Sequence, residues 1–476
     1  MRVSDQLQQT GLERVLFREH HEQQYEIEAI EGTVPAFVRG TYFLNGPARF
    51  ARNGMRYRNW LDGDGMVCSL RFHNEGVSFQ SRFVQTAKLR VEEETGSFQF
   101  RAFGTAFTDD RLKRGYSTES PANVSVFPFA GQLLAFGEQS IPYALDIDTL
   151  ATVGVYDFHH TLNDISPFSA HPKIDAESGE MLNFGISYSA NQPQLNYYRF
   201  DANGRLLLRH RIPLERATSL HDFTVSANYA TFYLSPYCLD INRLVQCQST
   251  TIDAMDWDGG DSKLLILNRR TGQEIWRLPI GKGYSLHTVN SFEADGYLCI
   301  DVLEMNAPLY ESYQPLPQLF VNAPHGRPVR YEICLESGAV TRRQMPRLAT
   351  IDFPCIRPLD QMLPYSQFWF LAISESTNDD FTFFNQLVAA DWDSPESAEI
   401  YSAAPGCLLA AEPVFVADPL NQEKGVIICQ EYCCDSDTSS FVVFDSKAIQ
   451  DGPIARLILR EPIHLGFHAT FVHRRG

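Results

Sequence analysis

A chain of 476 residues with a formal charge of −18 excludes nucleic acid as a partner, because binding phosphate needs a basic surface. With 44% hydrophobic residues and no low-complexity segment, it is a globular protein long enough for a large core. No run of about 18 apolar residues offers a membrane span, and the opening Met1 to Asp5 lacks the apolar core of a signal peptide, so the expected location is cytoplasmic.

Residues 1–22 place Leu7, Leu12, Val15 and Leu16 among charges, the pattern of a short amphipathic helix. It is expected to pack on the domain surface; a membrane anchor is the lesser reading. Residues 23–476 then read as one all-β domain. Short extended runs such as Val77 to Val84, Leu133 to Phe136, Leu195 to Phe200, Leu264 to Leu267, Phe368 to Leu371 and Val426 to Cys429 recur about every ten residues. Turn signals such as Asp201-Ala-Asn-Gly204 and Ala294-Asp-Gly296 separate them. Well over twenty strands in this length suit radial repetition of small antiparallel sheets, a β-propeller, better than one sandwich. The run Phe223 to Leu234 reads as a single strand opened by His221.

Two longer segments break the pattern. Residues 235–262 offer Tyr237, Leu239, Ile241, Leu244 and Val245 as the apolar face of a peripheral membrane-docking patch, with folding onto the propeller an equal alternative. Residues 305–325 carry four prolines. The ten cysteines follow no metal or secreted-scaffold spacing and are expected to be reduced, Cys433 and Cys434 as two free thiols in a loop. Asp62 and Asp64 in Asp-Gly-Asp-Gly lack the downstream glutamate of a calcium loop and read as a structural turn.

Four histidines stand at strand edges in distinct contexts: Ala170-His171-Pro172, His221-Asp222-Phe223, His287-Thr288-Val289-Asn290 and Phe467-His468-Ala469. Imidazole is the commonest ligand of iron, zinc, copper and nickel, and ligands this far apart must be gathered by the fold. Spacing alone does not select these four from thirteen histidines.

These contexts, with Gly40-Thr-Tyr-Phe-Leu-Asn-Gly-Pro47 and Asn59-Trp-Leu-Asp-Gly-Asp-Gly-Met66, resemble the carotenoid cleavage oxygenases over nearly the whole chain, from about residue 25 to 475. The resemblance implies a seven-bladed propeller with long loops capping its top face over an axial Fe(2+), one per chain, held by His171, His221, His287 and His468. It implies that carboxylates just beyond the ligands orient three of the rings: Glu138, Asp352 and Glu412. The middle position usually carries glutamate, so Asp352 is expected to reach its histidine poorly, and Asp352→Asn to matter less than Glu138→Gln or Glu412→Gln. Val124, Leu286 and Phe353 match positions on the substrate tunnel. Such a site cleaves a C=C bond of an apolar polyene with O2, giving aldehyde or ketone products, with no obligate protein partner. A closed four-histidine zinc site, inert, is the structural alternative. Stilbene cleavers carry a lysine directly before the first glutamate; Gly137 stands there instead and favours a carotenoid or apocarotenoid. Val124, where many alkene-cleaving members have threonine, keeps open retinoid or carotenoid isomerisation or ester hydrolysis without O2. A non-enzymatic carotenoid-binding propeller is disfavoured by the intact ligand set.

Overall fold

A computed structural model describes residues 11–473 except 116, 190, 247–248, 317, 347, 349 and 375–382. Leu7 lies outside the described residues.

The strands form seven antiparallel sheets around an axis, numbered here as blades 1 to 7. Blade 2 is representative: Ser125–Phe129, Gln132–Gly137, Ser140–Leu145 and Thr152–Val155 pair in chain order from the axis outward. The burial pattern follows that position. Ser140–Leu145, sandwiched between neighbouring blades, is buried at every residue, whereas the outer Thr152–Val155 alternates between half-buried and exposed. This is why inner strands read as continuous apolar runs and outer ones as period-two patterns.

Both chain ends close the ring. Ala469–His473, at the C-terminus, forms the innermost strand of blade 1 against Gly40–Arg49, while the N-terminal Ala29–Gly32 adds to the outer edge of blade 7 beside Ala455–Ile458. Between blades the sheet faces interdigitate through large side chains: Phe184 and Tyr197 of blade 3, for example, share a buried cluster with Phe223 and Phe232 of blade 4. The run Phe223 to Leu234 is a hairpin rather than one strand. Thr224–Val225 and Tyr229–Leu234 pair across a turn closed by Ser226 N–H donating to Tyr229 O. Ser226-Ala-Asn228 is the turn chemistry that a propensity reading passed over.

A cap covers one end of the axis. Helix Gly11–Phe17 buries Leu12, Val15 and Leu16 in the same cluster as Trp60, Phe320 and Phe467. Segment 235–262 contributes the paired strands Tyr237–Leu239 and Met255–Trp257 and helix Ile241–Gln246. Three of the residues expected on an exposed docking face are turned inward: Tyr237, Leu239 and Leu244 are buried in that cluster, Ile241 is half-buried and only Val245 is exposed. Their apolar area is satisfied by the cap itself. No helix among the described residues is long and apolar enough to cross a membrane.

Two cysteines depart from the expected reduced state. Cys407 and Cys433 are cross-strand partners in blade 7 with Cα atoms 4.0 Å apart, and they form a disulfide. Register across a hairpin, invisible in a linear separation of 26 residues, brings them together. Cys434 sits in the turn that follows, outside that disulfide, and is buried against Gly11. In Asp-Gly-Asp-Gly, Asp62 accepts hydrogen bonds from Gly104 N–H and Thr105 Oγ1, and Asp64 pairs with Lys88 at 2.6 Å and Arg52 at 2.7 Å. Both carboxylates are internal anchors of the cap.

Candidate metal centre

The innermost strands touch one another around the axis, so residues at their starts converge. Each blade presents one residue of the centre there, in rotation. Val124 comes from blade 2, His171 from blade 3, His221 from blade 4, His287 from blade 5, Asp352 from blade 6, Glu412 from blade 7 and His468 from blade 1. Glu138 joins from the turn between the second and third strands of blade 2.

One nitrogen from each of the four imidazoles lies within 4.8 Å of the others. Nε2 of His171 and Nε2 of His221 are 2.8 Å apart, and Nε2 of His221 and Nε2 of His287 are 3.1 Å apart. The carboxylates fix which nitrogens carry protons. His287 Nδ1–H donates to Asp352 Oδ1 over 2.5 Å and His468 Nδ1–H to Glu412 Oε2 over 3.1 Å, while Nδ1 of His221 lies 2.8 Å from Glu138 Oε1. With Nδ1 protonated, each Nε2 presents a lone pair toward the axis. Converging lone pairs at such distances repel unless a cation sits among them, so the donor set fits a divalent metal bound by neutral imidazoles.

The shorter acid therefore makes direct contact, against the expectation that it would not. The backbone beside this acid is bulged. Phe353 is held at φ +56° and the strand register shifts between Asp352 and Cys355, a bulge that swings the carboxylate toward the axis. The other two acids sit beside the same device, at Gln139 (φ +52°) and Ala411 (φ +64°). Left-handed backbone at non-glycine residues costs roughly 1–3 kcal/mol and persists where the surroundings hold it, often at functional sites. Nothing in these residue types announces it in sequence.

Electrostatics separate the four rings. Burial holds His171 well below the usual imidazole range, helped by the other three histidines and Lys173. Burial also pulls on His287, yet Asp352 outweighs it and raises that ring. His468 is lowered by burial, against the pull of Glu412.

A cavity of 430 Å³ opens onto the centre and touches His221, His287 and His468, leaving His171 on the far side. Val124, Leu286 and Phe353 all line it. So do Leu239, Ile241 and Leu244. Aromatic residues that the sequence did not single out complete the wall, among them Tyr188, Tyr310, Phe384 and Phe467. A closed structural zinc site would have no such opening.

A seven-bladed propeller with an open, four-imidazole axial centre defines a metalloprotein built for chemistry at the metal. The chain belongs to the retinal pigment epithelial membrane protein family, whose profile matches residues 16–473. It is 28% identical to the apocarotenoid-15,15'-oxygenase of Synechocystis sp., over 94% of this chain and 93% of that protein. It is 26% identical to the isoeugenol monooxygenase of Pseudomonas nitroreducens, with 94% of each covered. A solved structure of a Synechocystis apocarotenoid oxygenase variant superposes with a TM-score of 0.88 at 24% identity, covering 98% of each chain, and so does the cobalt-substituted form of that enzyme. At that identity the likeness speaks for the fold.

Proposed function

We propose that this protein is an Fe(II) dioxygenase that cleaves one C=C bond of a carotenoid or apocarotenoid, with His171, His221, His287 and His468 as ligands. The observation that carries the reading is the pairing of converging imidazoles with a largely apolar cavity that reaches them. Iron held by four neutral nitrogens retains its full 2+ charge and supplies O2 activation when bound. Both oxygen atoms balance the cleavage: the alkene gives up its two carbon–carbon bonding pairs, O2 is reduced, and two carbonyl groups result.

The protein's own groups do the rest. Asp352 and Glu412 hold two rings in one tautomer and orientation, and Glu138 stands beside a third. Phe353, whose ring lies 5.7 Å from His287 and 5.3 Å from His468 by centroids, keeps water off that side. Leu286 and Phe384 line the cavity beside the histidines and bound the space an unsaturated chain would enter. The absence of room beside Gly137 supports a polyene over a hydroxystilbene. A Cβ there would lie 2.2 Å from Ser120 Oγ and 3.1 Å from the Ala122 backbone nitrogen, so a phenol-binding lysine would require the Ser120 hydroxyl to turn aside and the Ala122 backbone to give. One observation favours a second reading: Val124, at the cavity wall, offers no hydroxyl beside the centre, which suits isomerisation or ester hydrolysis without O2.

The deciding experiment loads the protein with Fe(II) anaerobically, adds a panel of carotenoids and apocarotenals, then admits 18O2 and reads product masses. Labelled carbonyl products that form only after O2 is admitted are expected. Product formed under strict anaerobiosis would transfer the assignment to the isomerase or hydrolase reading.

A further inference from the structure

Three outer carboxylates reach a ligand ring. A fourth, Asp222, is buried beside the centre and reaches none: its Oδ1 is 3.8 Å from His171 Nδ1, beyond a hydrogen bond. Its bonds go elsewhere. Oδ2 accepts from Thr288 N–H and Thr288 Oγ1, both at 2.8 Å. Oδ1 accepts from Phe223 N–H at 2.8 Å and pairs with Lys173 Nζ at 2.8 Å.

The partners define the role. Lys173 lies two residues after His171, Asp222 directly follows His221, and Thr288 directly follows His287. One carboxylate thus joins the starts of the innermost strands of blades 3, 4 and 5. Ser169 adds a parallel tie between two of them, donating to His221 O at 2.9 Å and accepting from His171 N–H at 3.1 Å. A buried carboxylate is tolerable only when its acceptor sites are filled, and a filled set fixes the groups that fill it.

We propose that Asp222, with Lys173 and Thr288, is a positioning clamp that sets the spacing of three of the four metal-binding nitrogens. The proposal rests on the four-histidine metal reading. It assigns Asp222 no contact with metal or substrate. Its consequence is that the affinity and ligand field of the centre respond to residues that touch neither.

Cobalt(II) titration of the full-length apoprotein tests this, reading visible absorption bands and affinity by chelator competition, with thermal unfolding of each apoprotein alongside. Asp222→Asn is expected to shift the bands and weaken Co(II) binding about 10–100-fold, in the range found for other outer groups. Thr288→Val, which removes one hydroxyl and no charge, should shift them the same way by less. Lys173→Arg, keeping the cation, should restore bands near those of the parent, and Lys173→Met should not. Parent bands and affinity in Asp222→Asn overturn the clamp; if that variant does not fold, parent bands in Thr288→Val overturn it equally. Unchanged Co(II) binding in His171→Ala and His468→Ala would remove the metal reading itself, a separate outcome from failure of the clamp alone.

Discussion

His287 donates its Nδ1 proton to Asp352 across 2.5 Å, and Asp352 is 3% exposed. Glu412 is 3.1 Å from its ring, and the side chain of Glu138 is 38% exposed with Oε1 poorly aligned on His221. The tightest and driest of the three pairs is therefore the one with the shortest acid. Asp352→Asn is expected to cost most, toward the upper end of about 10–100-fold in iron affinity, Glu138→Gln least, with Glu412→Gln between them. Iron retained against graded chelator gives the order; equal losses in all three would refute it.

Single alanine variants of His171, His221, His287 and His468 should each lose the one iron per chain after dialysis against a weak chelator. Each ring supplies one nitrogen to a set confined within 4.8 Å, and no other His, Cys, Asp or Glu among the described residues joins that set. Full occupancy in any two of the four would sink the ligand assignment.

The substrate prediction turns on Gly137. A side chain there displaces the Ser120 hydroxyl and crowds the Ala122 backbone, so Gly137→Lys should not by itself confer cleavage of a hydroxystilbene. The parent protein should release aldehyde from an apocarotenal far faster than from resveratrol or isoeugenol. Comparable rates on the two classes, followed by product mass, would count directly against the polyene reading.

Leu286 lines the cavity one residue before a ligand, where a larger ring has open space on one side. Overpacking a filled core costs about 1–3 kcal/mol, so Leu286→Phe should lose less than that in unfolding free energy. It should also change product ratio or accepted chain length. A stable, iron-loaded variant with an unaltered product distribution would show that this side chain does not contact substrate.

Acid stability is expected to depend on a second pair of histidines, outside the four-histidine centre. Burial pushes His20 down to about 4 and His464 down to about 3, and their rings lie 6.1 Å apart. Both imidazoles fold neutral, so the stability they contribute is present above pH 6.5 and is lost as pH falls through about 4 to 3. At about 1.4 kcal/mol per unit, the loss amounts to several kcal/mol at the acid end. His20 bonds Val15 O, so the N-terminal helix should be released first. His464→Gln should flatten the fall in melting temperature between pH 6.5 and 4; an unchanged slope would exclude the pair as its source.

Residue order alone determined a good deal here. Alternating and continuous apolar runs of four to eight residues, set between turn signals, specify strands because each side chain's burial depends on near neighbours and on the position of its strand in the blade. The ligand histidines were legible through the contexts around His171, His221, His287 and His468, which are local strings. Folding decided the remainder. Asp352 meets His287 across 65 positions and Glu412 meets His468 across 56, each pair joining two different blades, so no window of sequence contains both partners. The left-handed Phe353 and the register shift beside Asp352 are backbone features that an aromatic residue does not signal. The inward turn of Tyr237, Leu239 and Leu244, and the Cys407–Cys433 bond, were settled the same way. Apolar area goes to whichever surface the closed ring presents, and two thiols react only when register puts them opposite each other.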